Sequence, residues 1–174
     1  SCLSNKIAKL LKSGDFISEE LSDRVKKSFQ RHFNLNNVHF TQSGTHAIFW
    51  ILKGLHLKKD DEVIIPSYAC PSILNAVISA GVTPVLCDVG EKWHMTRETV
   101  EQKITKKTKV IITVNLFGMF IKCSEFRFPG AILINDLCQC PNIIHKDDQD
   151  FGDFMVFSFH PTKYLNAGGH GSFS

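Results

Sequence analysis

Apolar residues in this chain fall into short continuous blocks, and the segments between them carry apolar positions at helical spacing. Glu62-Val63-Ile64-Ile65-Pro66 predicts a buried strand stopped by proline. Thr83 to Asp88, Lys109 to Asn115, Ala131 to Asp136 and Phe154 to Phe159 predict four more strands, and Val38-His39-Phe40 is a short β-prone block. Helical spacing predicts helices over Thr45 to Leu55, Ser72 to Ala80 and Arg97 to Ile104. The opening stretch, Ile7 to Phe33, reads as helical and is broken in two by Gly14.

Strands of this kind do not alternate polar and apolar residues, so both of their faces are covered. Alternating with helices, they predict an α/β fold, doubly wound, with a mostly parallel sheet flanked by helices. The expected organisation is an amino-terminal helical segment over 1–35 and part of a larger α/β domain over 36–174. The connection from Gly118 to Ala131, with Pro129-Gly130 near its end, is short for a crossover helix and predicts an irregular path.

Composition changes little in this picture. The chain is 43% hydrophobic and 21% charged, an ordinary globular balance, and the net charge of +3 is too small to argue for a nucleic-acid partner. The basic run Lys103 to Lys109 reads as a solvated helix end. No stretch approaches the roughly 18 apolar residues of a membrane span, and Ser1 to Lys12 lacks the apolar run of a signal peptide. The missing initiator Met suggests a processed or trimmed chain. The six cysteines lack a secreted-type spacing, and Cys138 and Cys140 have no second pair at zinc-ligand spacing. Reduced thiols, no metal and a cytoplasmic location are the expectations.

In α/β sheets ligands sit beyond the carboxyl ends of the strands, where this sequence places Asp88, Asn115 and Asp136. Three places could carry chemistry. Ser43-Gly44-Thr45 directly precedes an apolar helix, where free N–H groups and the helix dipole favour a phosphate; Ser and Thr are also ordinary N-caps there. Asp136 closes the strand Ala131 to Asn135 and could pair with a cationic ring nitrogen, or simply form a turn. Lys163, in Ser158-Phe159-His160-Pro161-Thr162-Lys163 and before the glycine-rich Gly168 to Gly171, is placed for Schiff-base chemistry; a surface lysine is the plainer alternative.

Taken together and in order, these blocks resemble the DegT-type nucleotide-sugar aminotransferases, a branch of the fold-type I pyridoxal-phosphate (PLP) enzymes related to aspartate aminotransferase. The resemblance runs from Leu10-Leu11-Lys12-Ser13-Gly14 and Ser43-Gly44-Thr45-His46-Ala47 through Asp61 to Tyr68, Asn75-Ala76-Val77 and Gly81 to Val85. It continues through Ile104 to Lys109, Leu116-Phe117-Gly118, Asp136-Leu137-Cys138-Gln139, and Phe151-Gly152-Asp153 leading to Lys163.

The resemblance implies that Lys163 holds PLP covalently and moves protons at the substrate carbon. It implies that Asp136 pairs with the pyridine nitrogen and that Gln139 lies near the ring hydroxyl. Gly44, Thr45 and Ser158 would hold the phosphate. Transfer of an amino group from an amino acid, glutamate by expectation, to a keto-sugar nucleotide follows, in a homodimer. Sugar dehydratases of the family carry His where this chain has Lys163.

Three departures accompany the resemblance. Cys70 stands where members place an aromatic residue that stacks on the cofactor ring, with Tyr68 two positions earlier. The crossover after Gly118 is short. The chain stops at Ser174, where relatives continue for about as long again, so a carboxy-terminal small domain is expected to be absent. A second reading therefore stands beside the first: a truncated, non-catalytic remnant that binds PLP or a protein partner.

Overall fold

The computed structural model describes residues 19–140, 150–165 and 169–174. The chain divides into two compact units, Ser1–Val38 and His39–Ser174.

In the first unit, α1 spans Glu19–Phe33. The half of the expected helix before residue 19, with its break at Gly14, lies outside the described residues. Asn34, in the left-handed region at φ 52°, ends α1, and the Leu35 N–H reaches back to the Gln30 carbonyl at 2.9 Å. This six-to-one bond is the Schellman closure, in which Asn substitutes for the usual Gly.

The second unit is a seven-stranded sheet in the order β1-β7-β6-β5-β4-β2-β3. Its strands are β1 (His39–Thr41), β2 (Glu62–Pro66), β3 (Thr83–Cys87), β4 (Thr108–Val114), β5 (Ile132–Asp136), β6 (Phe154–Ser158) and β7 (Gly171–Phe173). From β3 through β6 every pairing is parallel, as the continuous apolar runs predict. The remaining edge is antiparallel: β7 pairs with both β6 and β1. Strand β7 was not foreseen, because Gly171-Ser172-Phe173 follows a glycine-rich stretch and has no apolar run of its own.

Pleating sorts the side chains onto two faces. Val63, Ile65, Val110, Ile112, Val114, Ile134 and Val156 pack with α2 (Gly44–Gly54) and α3 (Pro71–Ala80), through Ala47, Ile48, Ile51, Leu52, Ile73, Ala76 and Val77. The opposite face carries Ile64, Ile111 and Leu133 against Met95, Val100, Ile121, Cys123 and Phe126. Each such aliphatic side chain contributes about 1.5–3 kcal/mol on burial, so these layers dominate the stability of the unit.

Two helices differ from expectation in length or entry. Helix α4 runs only Arg97–Glu101, opened by a reciprocal Thr96–Thr99 capping box, and the chain then leaves through turns in which the Lys103 and Ile104 N–H groups share the Val100 carbonyl. Helix α3 starts at Pro71, whose missing N–H is not needed at a first helical position, and ends at Gly81 with φ 83°. The crossover from β4 to β5 is irregular, as expected. It holds only the 3-10 turns Leu116–Gly118 and Cys123–Phe126, and buries Ile121, Cys123 and Phe126 under the sheet.

The strand order fixes where a ligand can sit. The chain passes from β2 outward to β3, then returns to the other side of β2 with β4. The crevice opened at such a reversal, beyond the carboxyl ends of the strands, is the expected binding place in an open α/β sheet.

Candidate cofactor site

Val114, Asp136 and Ser158 end three adjacent strands, and register places them on one face. Val114 pairs with Asp136, Asp136 pairs with Val156, and Ser158 lies two residues beyond Val156. That face is the one covered by α2 and α3. Beyond the strand ends it opens into a cleft of about 300 Å³ whose walls include Gly44, Thr45, Cys70, Asp136, Gln139, Ser158 and Lys163. Every residue singled out in the sequence for cofactor binding therefore borders this one cleft.

The amino end of α2 forms its floor. Ser43 takes the capping role: its Oγ accepts the His46 N–H at 3.1 Å. The N–H groups of Gly44 and Thr45, in the first turn, are left without intrahelical partners. Close approach is obligatory here. A Cβ at Gly44 would stand 2.9 Å from Cys138 Sγ and 3.3 Å from Ser158 Cβ, and one at Gly171 would collide with the Ser43–Gly44 peptide. The Ser43 cap thus leaves first-turn N–H groups on the neighbouring residues without intrahelical partners.

Asp136 is only 6% exposed. Its Oδ1 accepts the Cys138 N–H at 2.8 Å, and the Cys138 thiol also bonds to the carboxylate. Burial raises the Asp136 carboxyl above the ordinary carboxylate range; the Cys138 hydrogen bonds and the Lys163 charge oppose this without cancelling it. Asp136 forms no ion pair with any described residue. Burial, followed by the Asp136 charge, pushes the Cys138 thiol well up, so it stays protonated. The turn-forming reading of Asp136 is realised, and its carboxylate still borders the cleft.

Lys163 follows β6 through a tight turn in which its N–H bonds to the His160 carbonyl at 2.8 Å and His160 Nδ1 meets Thr162 Oγ1 at 2.9 Å. The lysine is half-buried rather than splayed on the surface, and it enters no ion pair with a described residue. Gln139 is held by the Phe117 N–H, which donates to its Oε1 at 3.3 Å. Cys70 stands at the N-cap of α3, and Ser72 Oγ donates to its Sγ at 3.1 Å. That bond, with the Lys163 charge as a lesser cause, lowers the Cys70 thiol below its ordinary value.

Behind the strand ends lies a buried amide network. Asn115 Nδ2 donates to Asn135 Oδ1 at 2.6 Å and to the Asp136 carbonyl at 3.1 Å, and Asn115 Oδ1 accepts the Ile121 N–H at 3.0 Å. Asn115 was noted in sequence only as a strand-end residue; it fixes the backbone of Asp136 and the start of the crossover together. His160, Thr162, Ile73 and Val114 also line the cleft and were not assigned roles beforehand. Only the two neighbours of Lys163 lay in a conspicuous block.

The sequence matches the DegT/DnrJ/EryC1/StrS aminotransferase family over residues 3–173. The chain belongs to this family. A UDP-N-acetyl-3-dehydro-alpha-D-glucosamine 3-aminotransferase of Acidithiobacillus ferrooxidans is 35% identical over 136 residues, covering 74% of this chain and 37% of the relative. A 3-oxo-glucose-6-phosphate:glutamate aminotransferase of Bacillus subtilis is 30% identical over 173 residues, covering 95% of this chain and 38% of the relative. Among solved structures, NtdA of Bacillus subtilis with bound cofactor PMP superposes with a TM-score of 0.87 at 28% identity, covering 98% of this chain and 40% of that one. The chain thus spans less than half the length of these DegT-family relatives. The mostly parallel sheet flanked by helices is the fold shared with them.

Proposed function

We propose that this chain is the cofactor-binding portion of a PLP-dependent sugar aminotransferase that moves an amino group from glutamate to a keto-sugar nucleotide. The observation that carries the reading is the convergence of Lys163, Asp136 and the amino end of α2 on one cleft. The residues present fit the cofactor: a buried carboxylate without an ion-pair partner among the described residues, free N–H groups at a helix start, and a half-buried lysine. When bound, PLP supplies an aldehyde and an electron-withdrawing ring.

Each residue has a distinct task in this reading. Lys163 Nζ would hold the cofactor covalently and is the group that would move a proton at the substrate carbon. Asp136 would hold the positive charge of the ring nitrogen, a partner that would offset the cost of burying the carboxylate. Gly44, Thr45 and Ser158 would hold the phosphate, two of them through backbone N–H groups at the positive end of α2. Gln139, oriented by the Phe117 N–H, would meet the ring hydroxyl. Asn115 positions Asp136 through its backbone.

The substrate classes follow the names of the relatives, one of which acts on a UDP sugar and another of which names glutamate as donor. Residues 36–174 would serve as the PLP-binding part of a large domain, preceded by an amino-terminal segment over 1–35 in which α1 is the described helix. A homodimer is included on family resemblance, and a cytoplasmic site is in keeping with the unoxidised thiols of Cys70, Cys87 and Cys138. No described helix is long and apolar enough to cross a membrane.

The test is a half-reaction. The PLP-loaded chain is mixed with glutamate, and 2-oxoglutarate is measured against Lys163→Ala. One equivalent per loaded site from the parent and none from the variant is the expected result. Cofactor retention without any 2-oxoglutarate would favour the non-catalytic remnant instead.

A further inference from the structure

We propose that Tyr68 and Trp93 form a stacking platform for the nucleobase of a nucleoside-diphosphate substrate, an inference that rests on the aminotransferase reading and gives its substrate a second anchor.

The two rings leave the sheet side by side. The Ser67 N–H donates to the Cys87 carbonyl at 2.8 Å, which extends the β2–β3 ladder to its final rung. Tyr68 therefore departs from the carboxyl end of β2 next to the loop that follows β3. In that loop the Gly90 N–H bonds to the His94 carbonyl at 2.9 Å and the Trp93 N–H to the Gly90 carbonyl at 3.0 Å, closing a tight turn with Trp93 near its tip. Trp93 has φ 62°, a left-handed backbone that bulky residues seldom adopt. Strain of this kind persists where the surroundings impose it, and it often marks a working position.

The pair presents two tilted rings, either of which offers a stacking surface. The ring centroids of Tyr68 and Trp93 are 5.0 Å apart at an interplanar angle of 47°, so each ring props the other. Even so, Tyr68 is 46% exposed and Trp93 53% exposed, so about half of each residue is open to solvent. A pre-ordered ring loses little freedom on binding. Nucleobases stack on such surfaces irrespective of their identity. The location selects the occupant: Ala69 alone separates Tyr68 from Cys70, which lines the cofactor cleft. A ligand with its sugar in the cleft and a planar base at its far end matches that arrangement. The relatives include one that acts on a UDP sugar and one whose named substrate is a sugar phosphate without a base, and the platform assigns this chain to the former kind.

The sequence holds two tryptophans, so Trp50→Phe leaves Trp93 as the only indole reporter. In that background UDP and GDP are titrated against emission, with glucose 6-phosphate as the base-free arm. Saturable quenching by both nucleotides and none by the sugar phosphate is expected. By calorimetry in the full chain, Trp93→Ala and Trp93→Gly should weaken UDP binding about ten-fold or more, whereas Trp93→Phe keeps most of it. Trp93→Gly relieves the left-handed strain, so its melting temperature should not fall, which separates loss of the platform from loss of the fold. Uptake of PLP should be unchanged in all three, so a failed platform and a failed cofactor site give different results. Equal quenching by glucose 6-phosphate, or unweakened UDP binding in Trp93→Ala, would overturn the proposal. So would emission that responds to protein concentration and not to nucleotide, which would assign the face to a second copy of the chain.

Discussion

The Cys138 N–H donates to Asp136 Oδ1 across 2.8 Å, and the same Cys138 places its sulfur where a side chain at Gly44 would have to go. One residue thus ties the buried carboxylate to the amino end of α2, on two sides of the cleft.

The first prediction concerns pH. The folded-state pKa of Asp136 is raised, chiefly by burial. Between the unfolded value near 3.9 and the raised folded value, the native state binds more protons than the unfolded one, so stability falls as pH rises through that window. The slope there approaches about 1.4 kcal/mol per pH unit. Asp136→Asn keeps the acceptor for Cys138 and removes the titration. Urea unfolding of the cofactor-free chain from pH 4 to 8 should show the parent losing ground to the variant as pH rises; parallel curves would refute the assignment.

Gly44→Ala tests the packing contact. Its Cβ would approach Cys138 Sγ to 2.9 Å and Ser158 Cβ to 3.3 Å. Overpacking of this kind costs about 1–3 kcal/mol. Cys138→Ala should recover part of the loss in the double variant, and a double-mutant cycle measured by chemical unfolding gives the coupling. Additive effects would mean the two residues do not meet.

At the opposite end of the strands, Arg127 bridges Asp150 at 2.6 Å and Asp153 at 2.7 Å, while Asp153 Oδ2 accepts the Leu133 N–H at 2.7 Å. The Arg127 hydrogen bond holds the Asp150 carboxyl below its usual range, so its contribution is present above the unfolded pKa and is lost as pH falls through the folded one. The groups are partly solvated, and Arg127→Ala should cost no more than about 1 kcal/mol. Asp153→Ala should cost more, about 1–3 kcal/mol, because it strands a strand N–H as well. Thermal melts of both variants, ranked in that order, check the account.

Asn115→Ala removes the amide that serves Asn135, the Asp136 carbonyl and the Ile121 N–H. Loss of about 2–4 kcal/mol is expected from the buried groups left unpaired. Retention of PLP should weaken together with stability. A variant as stable as the parent would show that the network does not position Asp136.

How far the sequence could be read depends on where each feature gets its information. Strands β2, β4, β5 and β6 announce themselves through local apolar runs, and their ends were placed within a residue. Gly44, Thr45, Asp136, Gln139, Ser158 and Lys163 were legible because their order along the chain is distinctive, and the fold brings them to one cleft. Strand β7 was not legible: three residues form it only because β1 and β6 flank them. The same holds for the packing of Cys138 on Gly44 and of Tyr68 on Trp93. Each joins residues far apart in sequence through strand register, and no local pattern records register between neighbouring strands.

The central claim is that Lys163 is the residue that holds PLP, and the most direct measurement is absorption spectroscopy of the purified chain with PLP, before and after borohydride, beside Lys163→Ala. The account predicts a yellow band in the parent, fixed by borohydride as a covalent adduct that peptide mass mapping places on Lys163, and no such band or adduct in the variant. A band of equal strength in Lys163→Ala, or an adduct mapped to another lysine, would contradict it.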